Sequence, residues 1–117
     1  MLRFWRATIN TRNGLAFAIC SEQVIREEVA ALALALPLAW LVGATPMRRI
    51  ELMAVVVPVL VVELLNTAIE NLADRLTTEF DPQIGRVKDI GSAAVGVALV
   101  VAALFWLFAI AQRIGAV

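Results

Sequence analysis

The alternation of apolar and polar positions divides the chain into an amphipathic start and three long apolar runs separated by polar joints. In "MLRFWRATINTRNG", Leu2, Trp5 and Ile9 recur at i, i+3 and i+7, while Arg3, Arg6 and Arg12 fall elsewhere around the helix. This spacing predicts a surface helix over about residues 2–22, with "NTRNG" as a turn or break, the alternative being a frayed terminus. No long apolar core with a small-residue cleavage site follows the arginines, so the segment does not read as a cleavable signal.

The first apolar run, "VAALALALPLAWLVGA" (29–44), is short for a bilayer core of about 30 Å, which takes ~20 residues. It must borrow a turn from "SEQVIREE". The second, "IELMAVVVPVLVVELLNTAI" (50–69), is long enough. The third, "IGSAAVGVALVVAALFWLFAIA" (90–111), carries no charge. Extended to their polar borders, the spans cover about 25–45, 49–73 and 86–112. "GATPMRR" makes a tight hairpin between the first two, and "TTEFDPQIGRVKD" joins the second and third. Pro37 and Pro58 lie mid-span, where membrane helices tolerate proline.

Composition supports the membrane class. The 117 residues suit a single domain, 1–117, and are 62% hydrophobic. Mean hydropathy is +0.87, and so small a soluble domain has too little interior to hide that surface. The expected fold is an all-α membrane protein with three transmembrane helices and an N-terminal amphipathic surface helix. Ten basic and ten acidic residues cancel, so no net field points to nucleic acid. One cysteine, Cys20, excludes an internal disulfide, and no Cys/His cluster suggests zinc.

Three spans put the N-terminus and the second loop on one side. Arg3, Arg6, Arg12, Arg26, Arg75, Arg86 and Lys88 lie there, against Arg48, Arg49 and Arg113 opposite: seven to three, which predicts a cytoplasmic N-terminus.

The second run carries an anomaly, "VVELLNTAIENLADR". At 100° per residue, Glu63, Asn66, Glu70 and Asp74 fall within about 80° on one helix face, with Glu63 and Glu70 roughly 10 Å apart along the axis. A carboxylate in hydrocarbon costs several kcal/mol unless protonated, paired or wet, so this stripe is a functional candidate. The plainer reading is interhelical hydrogen-bond glue. In "GRVKDIGSAAVG", Lys88, Asp89 and Ser92 lie within about a turn of the third span's start. Ser92 and Gly96, four apart, would let another helix approach closely. Interfacial anchoring is the alternative for Lys88 and Asp89. Glu22 and Arg26 in "CSEQVIREE" are expected to pair at i, i+4, or to form a solvated face.

Carboxylates, a lysine and an amide at a membrane boundary suit magnesium, held by one or two carboxylates plus substrate phosphates. They suit phosphoryl transfer from a nucleotide to a lipid hydroxyl, which rests on positioning, charge and a base. No GxxxxGK[ST] loop and no HRD or DFG signature is present. The residues alone lead to a membrane protein with a metal-capable interfacial site.

At these residues the chain resembles the small integral-membrane bacterial diacylglycerol kinases, whose relatives include undecaprenol kinases. The likeness rests on "VELLNTAIE" followed by "DR", then "KDIGSAAV" after a short loop, and runs from about Arg3 to the third span. It implies a homotrimer with shared sites in the bacterial inner membrane, using ATP and Mg2+ to phosphorylate a membrane lipid alcohol. By resemblance, Glu63 takes the proton of the lipid's primary hydroxyl, and Glu70 and Glu22 bind magnesium. Asn66 positions groups beside them. Lys88 and Asp89 match nucleotide contacts, Glu79, Phe80 and Asp81 the adenosine loop, and Arg3 and Asn10 further nucleotide contacts. Glu28, Ser92 and Trp106, again with Arg3, match the lipid site. The chain departs from better-known members in having no histidine near "EFDP" and in placing Arg12 where an aromatic can occur. Serine in "KDIGSAAV", where undecaprenol-kinase relatives carry "AGAV", favours diacylglycerol as acceptor. An undecaprenol kinase is the alternative within the family. A proton-coupled transporter with Glu63 as carrier carboxylate, or a purely structural subunit, lies outside it.

Overall fold

The computed structural model describes residues 1–117 as four helices: α1 Leu2–Ser21, α2 Gln23–Val42, α3 Pro46–Leu76 and α4 Pro82–Arg113. Local chemistry sets their ends. Thr45 caps α3, its hydroxyl accepting from the Arg48 N–H at 3.1 Å, with Pro46 opening the helix. Asp81 does the same for α4, one carboxylate oxygen accepting from Gln83 and Ile84 at 2.8 and 3.3 Å, ahead of Pro82. These caps lie outside the apolar runs, so α3 and α4 extend beyond the expected spans at both ends. Pro37 and Pro58 sit inside α2 and α3.

The expected break at "NTRNG" does not occur, and α1 continues through Gly14 to Ser21. A single glycine costs a helix about 1 kcal/mol relative to alanine, too little to end it without a proline or cap. The Thr8 and Thr11 hydroxyls bond back to the Phe4 and Ala7 carbonyls at 2.9 and 2.8 Å rather than competing with the helix. The real break is Glu22, whose backbone is extended (φ −115°, ψ 114°). The expected Glu22–Arg26 pair is absent for that reason. Instead the Arg26 guanidinium donates to the Ile19 and Cys20 carbonyls at 3.1 and 3.0 Å, satisfying orphan acceptors at the end of α1.

Helix α3 is the centre of the bundle, packing against α4 and α2. Small residues make the approach close: Ala35, Ala39, Ala73, Ala102 and Ala109 are all buried, with Leu52 and Ile25 as the large side chains fully enclosed. Ala39, Leu52 and Ala109 form a cluster at the end of the bundle remote from Glu63. There Gly43 closes α2 against Arg49, whose guanidinium stacks on Trp40 at 3.9 Å and donates to the Gly43 carbonyl at 3.2 Å. Helix α1 buries only Ala18.

Just 13 of 117 residues are buried, so the apolar flanks of α2–α4 face outward. Both α3 and α4 are long and apolar enough to cross a bilayer, and only 17% and 6% of their most apolar stretches are buried. The core helix of a soluble protein would be mostly covered; these are not, and the protein is read as a membrane protein. Helix α2 falls short of the same measure, because Arg26, Glu27 and Glu28 occupy its first turns.

Candidate active site

The stripe on α3 opens into a pocket of about 250 Å³. Its walls are Glu63, Asn66, Thr67 and Glu70 from α3, Glu22 and Val24 from the α1–α2 break, and Ser92 and Val95 from α4. Five residues singled out from the sequence, Glu22, Glu63, Asn66, Glu70 and Ser92, thus come together around one space. Glu28 is half-buried in the first turns of α2 and is not among the walls.

Two hydrogen bonds orient the carboxylates. The Asn66 amide, 9% exposed, donates to Glu70 Oε1 at 3.2 Å. The Asn71 amide donates to Glu22 Oε1 at 3.3 Å across 49 residues of sequence, tying the helix break to α3. Asn71 and Thr67 were not among the sequence candidates. Their signal was present in their i, i+4 spacing beside the stripe, but only the fold turns that ridge toward α1. At the polar end, Lys88 Nζ meets Asp74 Oδ1 at 2.6 Å, so α4 does return its lysine to the foot of the stripe. Asp89, next to it, is exposed.

The helix approach expected at Ser92 and Gly96 falls one residue earlier. Gly91 and Val95 are the residues buried against α3, whereas Ser92 is exposed and Gly96 has no neighbour within 4 Å of an added Cβ. A shift of about 100° per residue separates the two faces.

Other candidates lie apart from this pocket. The Trp106 indole N–H donates to the Leu52 carbonyl at 3.2 Å, and Leu52 is about 16 Å from Glu63 along α3. Glu79 and Phe80 are exposed in the α3–α4 loop, where the Thr77 hydroxyl accepts from the Glu79 N–H at 3.0 Å, and Asp81 is engaged as a cap. Arg3 is exposed near the start of α1. Asn10 lines an apolar groove of about 640 Å³ between α1 and α3, with Leu15, Phe17, Leu60 and Leu64 among its walls. Glu22 and Thr67 border both this groove and the acidic pocket.

No three Asp, Glu, Cys or His side chains converge closely enough to cage a cation. Glu22 and Glu70 nevertheless supply two hard oxygen donors to one pocket, which suits a magnesium ion completing its shell with water and phosphate oxygens.

Comparison with known proteins supplies the context. Residues 10–110 match the family described as prokaryotic diacylglycerol kinase. The chain is 37% identical to the diacylglycerol kinase of Escherichia coli K12 over 102 residues, 87% of this chain and 84% of that one. It is also 37% identical to the Haemophilus influenzae diacylglycerol kinase over 93 residues, 80% of this chain and 79% of that protein. The Pseudomonas aeruginosa diacylglycerol kinase is 36% identical over 104 residues, 89% and 85% of the two chains. With a family match over most of its length and relatives aligned over most of both chains, the chain belongs to the prokaryotic diacylglycerol kinase family and is a lipid kinase.

Proposed function

We propose that the protein phosphorylates diacylglycerol to phosphatidic acid with MgATP, at the cytoplasmic face of the bacterial inner membrane. The observation that carries this reading is the acidic pocket sharing two of its walls, Glu22 and Thr67, with an apolar groove. A lipid alcohol laid in the groove brings its hydroxyl to the pocket, while the nucleotide reaches the same point from the polar end. The excess of basic residues around the N-terminus and second loop supports the cytoplasmic placement. In this reading α2 is a third span, its charged first turns lying at headgroup level, and three copies assemble by their outward apolar flanks. The openness of a pocket built by so few helices supports sites completed between subunits.

In the reaction the lipid oxygen bonds to the γ-phosphorus as the bond to the departing ADP breaks. Glu63 accepts the hydroxyl proton, late in the step because an alcohol is a far weaker acid than a carboxyl group. Glu70 and Glu22 are the carboxylates that would hold a magnesium ion, and Asn66 and Asn71 keep them aimed. When bound, magnesium supplies positive charge against the phosphate oxygens. Lys88, 39% exposed beside Asp74, exchanges that carboxylate for phosphate oxygens when nucleotide is bound. Asp89, Arg3, Asn10 and the Glu79–Phe80–Asp81 loop flank the nucleotide. Glu28 and Ser92 border the lipid hydroxyl, and Trp106 lies at the depth of the acyl chains.

The decisive assay offers the purified protein diacylglycerol and undecaprenol separately, in mixed micelles with magnesium and ATP. Phosphatidic acid as the main product supports the proposal. Preferential phosphorylation of undecaprenol would replace the acceptor, and release of ADP with neither lipid would remove the mechanism.

A further inference from the structure

Asn66 is the one buried polar residue, and its two amide atoms have unequal surroundings. Its nitrogen holds Glu70, whereas its oxygen is buried with no hydrogen-bond partner. An orphaned buried acceptor destabilises the fold, so the amide needs something other than hydrogen bonding on that side to keep it in place. What faces the oxygen is Gly91 of α4. A Cβ built at position 91 would fall far inside van der Waals contact of Asn66 Oδ1 and 3.2 Å from Cγ. Backbone therefore presses directly on the side of the amide, at a point where any other residue would collide with it.

We infer that Gly91 is a positioning residue: by lacking a side chain it lets α4 clamp the Asn66 amide, and the clamped amide holds the Glu70 carboxylate toward the pocket. A methyl group at 91 displaces the amide oxygen. Asn66 is short and rooted on a helix, so its relief is a change of rotamer, which carries Nδ2 away from Glu70. The inference rests on the proposed role of Glu70 in holding the magnesium–nucleotide complex. Neither Gly91 nor its backbone touches the reactants in this scheme; it acts through Asn66.

The test is a double-mutant cycle of Gly91→Ala and Asn66→Ala. It is read by calorimetric binding of the magnesium complex of a non-hydrolysable ATP analogue, by thermal unfolding, and by kcat and KM separately. Gly91→Ala should weaken analogue binding about tenfold, the scale of a lost hydrogen bond to a charged group, and raise KM more than it lowers kcat. Asn66→Ala should weaken binding by a similar factor, and the double variant should bind no worse than Asn66→Ala alone. Parental binding in Gly91→Ala, or losses that multiply in the double variant, would overturn the inference and leave Gly91 as a packing residue. If Gly91→Ala does not fold, adding Asn66→Ala should restore folding, and failure of that rescue also overturns it. Glu70→Gln separates the two ideas. Parental analogue binding in that variant sinks the role of Glu70. Gly91 is then judged on unfolding temperatures alone, where non-additive shifts support the clamp and additive ones refute it.

Discussion

Asn71 and Glu22, 49 residues apart in sequence, are joined by a 3.3 Å hydrogen bond that docks the α1–α2 break onto α3. Because Glu22 is the extended residue between two helices, its backbone alone would not hold the carboxylate over the pocket. Asn71→Ala should raise the magnesium concentration needed for half-maximal turnover several-fold. The bond is exposed, so thermal stability should fall by no more than about 1 kcal/mol. A magnesium titration of the two proteins in micelles checks the first expectation; coincident curves would free Glu22 from its assigned role.

Glu63→Gln keeps the shape and removes the proposed base. Turnover should drop by about 10²–10⁴, the usual contribution of a positioned proton acceptor. Binding of a non-hydrolysable nucleotide should change little, since Glu63 lies about 10 Å up the helix from Glu70. Parallel measurement of both quantities decides the matter, and near-parental turnover would exclude Glu63 as base.

Lys88 and Asp74 form an ion pair at 2.6 Å with side chains 39% and 62% exposed. Such a pair adds at most about 1 kcal/mol to stability. Lys88→Ala should therefore unfold at nearly the parental temperature yet lose about a hundredfold in kcat/KM, as expected for removal of a group that stabilises transferring phosphate. Asp74→Asn should be much milder in turnover. Equal losses in the two variants would make the pair, rather than the lysine, the functional unit.

Gly43→Ala tests the opposite end of the bundle. An added Cβ would lie 2.5 Å from Arg49 Cγ in α3 and 2.8 Å from the Ala39 carbonyl in α2 itself, so both the Arg49 side chain and the end of α2 must shift. The expected cost is about 1–3 kcal/mol, as for other overpacked sites, with kcat per folded protein unchanged. Thermal unfolding followed by assay of the surviving fraction measures both. A loss of kcat without loss of stability would tie this end to the chemistry.

The helical class, the apolar runs and the ridge of Glu63, Asn66, Glu70 and Asp74 were legible in the sequence, because a helix's 100° step turns spacing directly into sidedness. Three features were not. The break at Glu22 rather than "NTRNG", and Arg26 serving α1's carbonyls rather than Glu22, depend on which backbone groups end up without partners. The close approach at Gly91 rather than at Ser92 and Gly96 depends on how α4 is rotated against α3. Spacing within one helix says which residues share a face, but which face meets a neighbour is set by packing between helices far apart in sequence. The sequence by itself therefore determined the membrane-spanning class and the acidic ridge. Only the tertiary structure decided that Glu22, held by Asn71, completes the pocket and that Gly91 closes on Asn66.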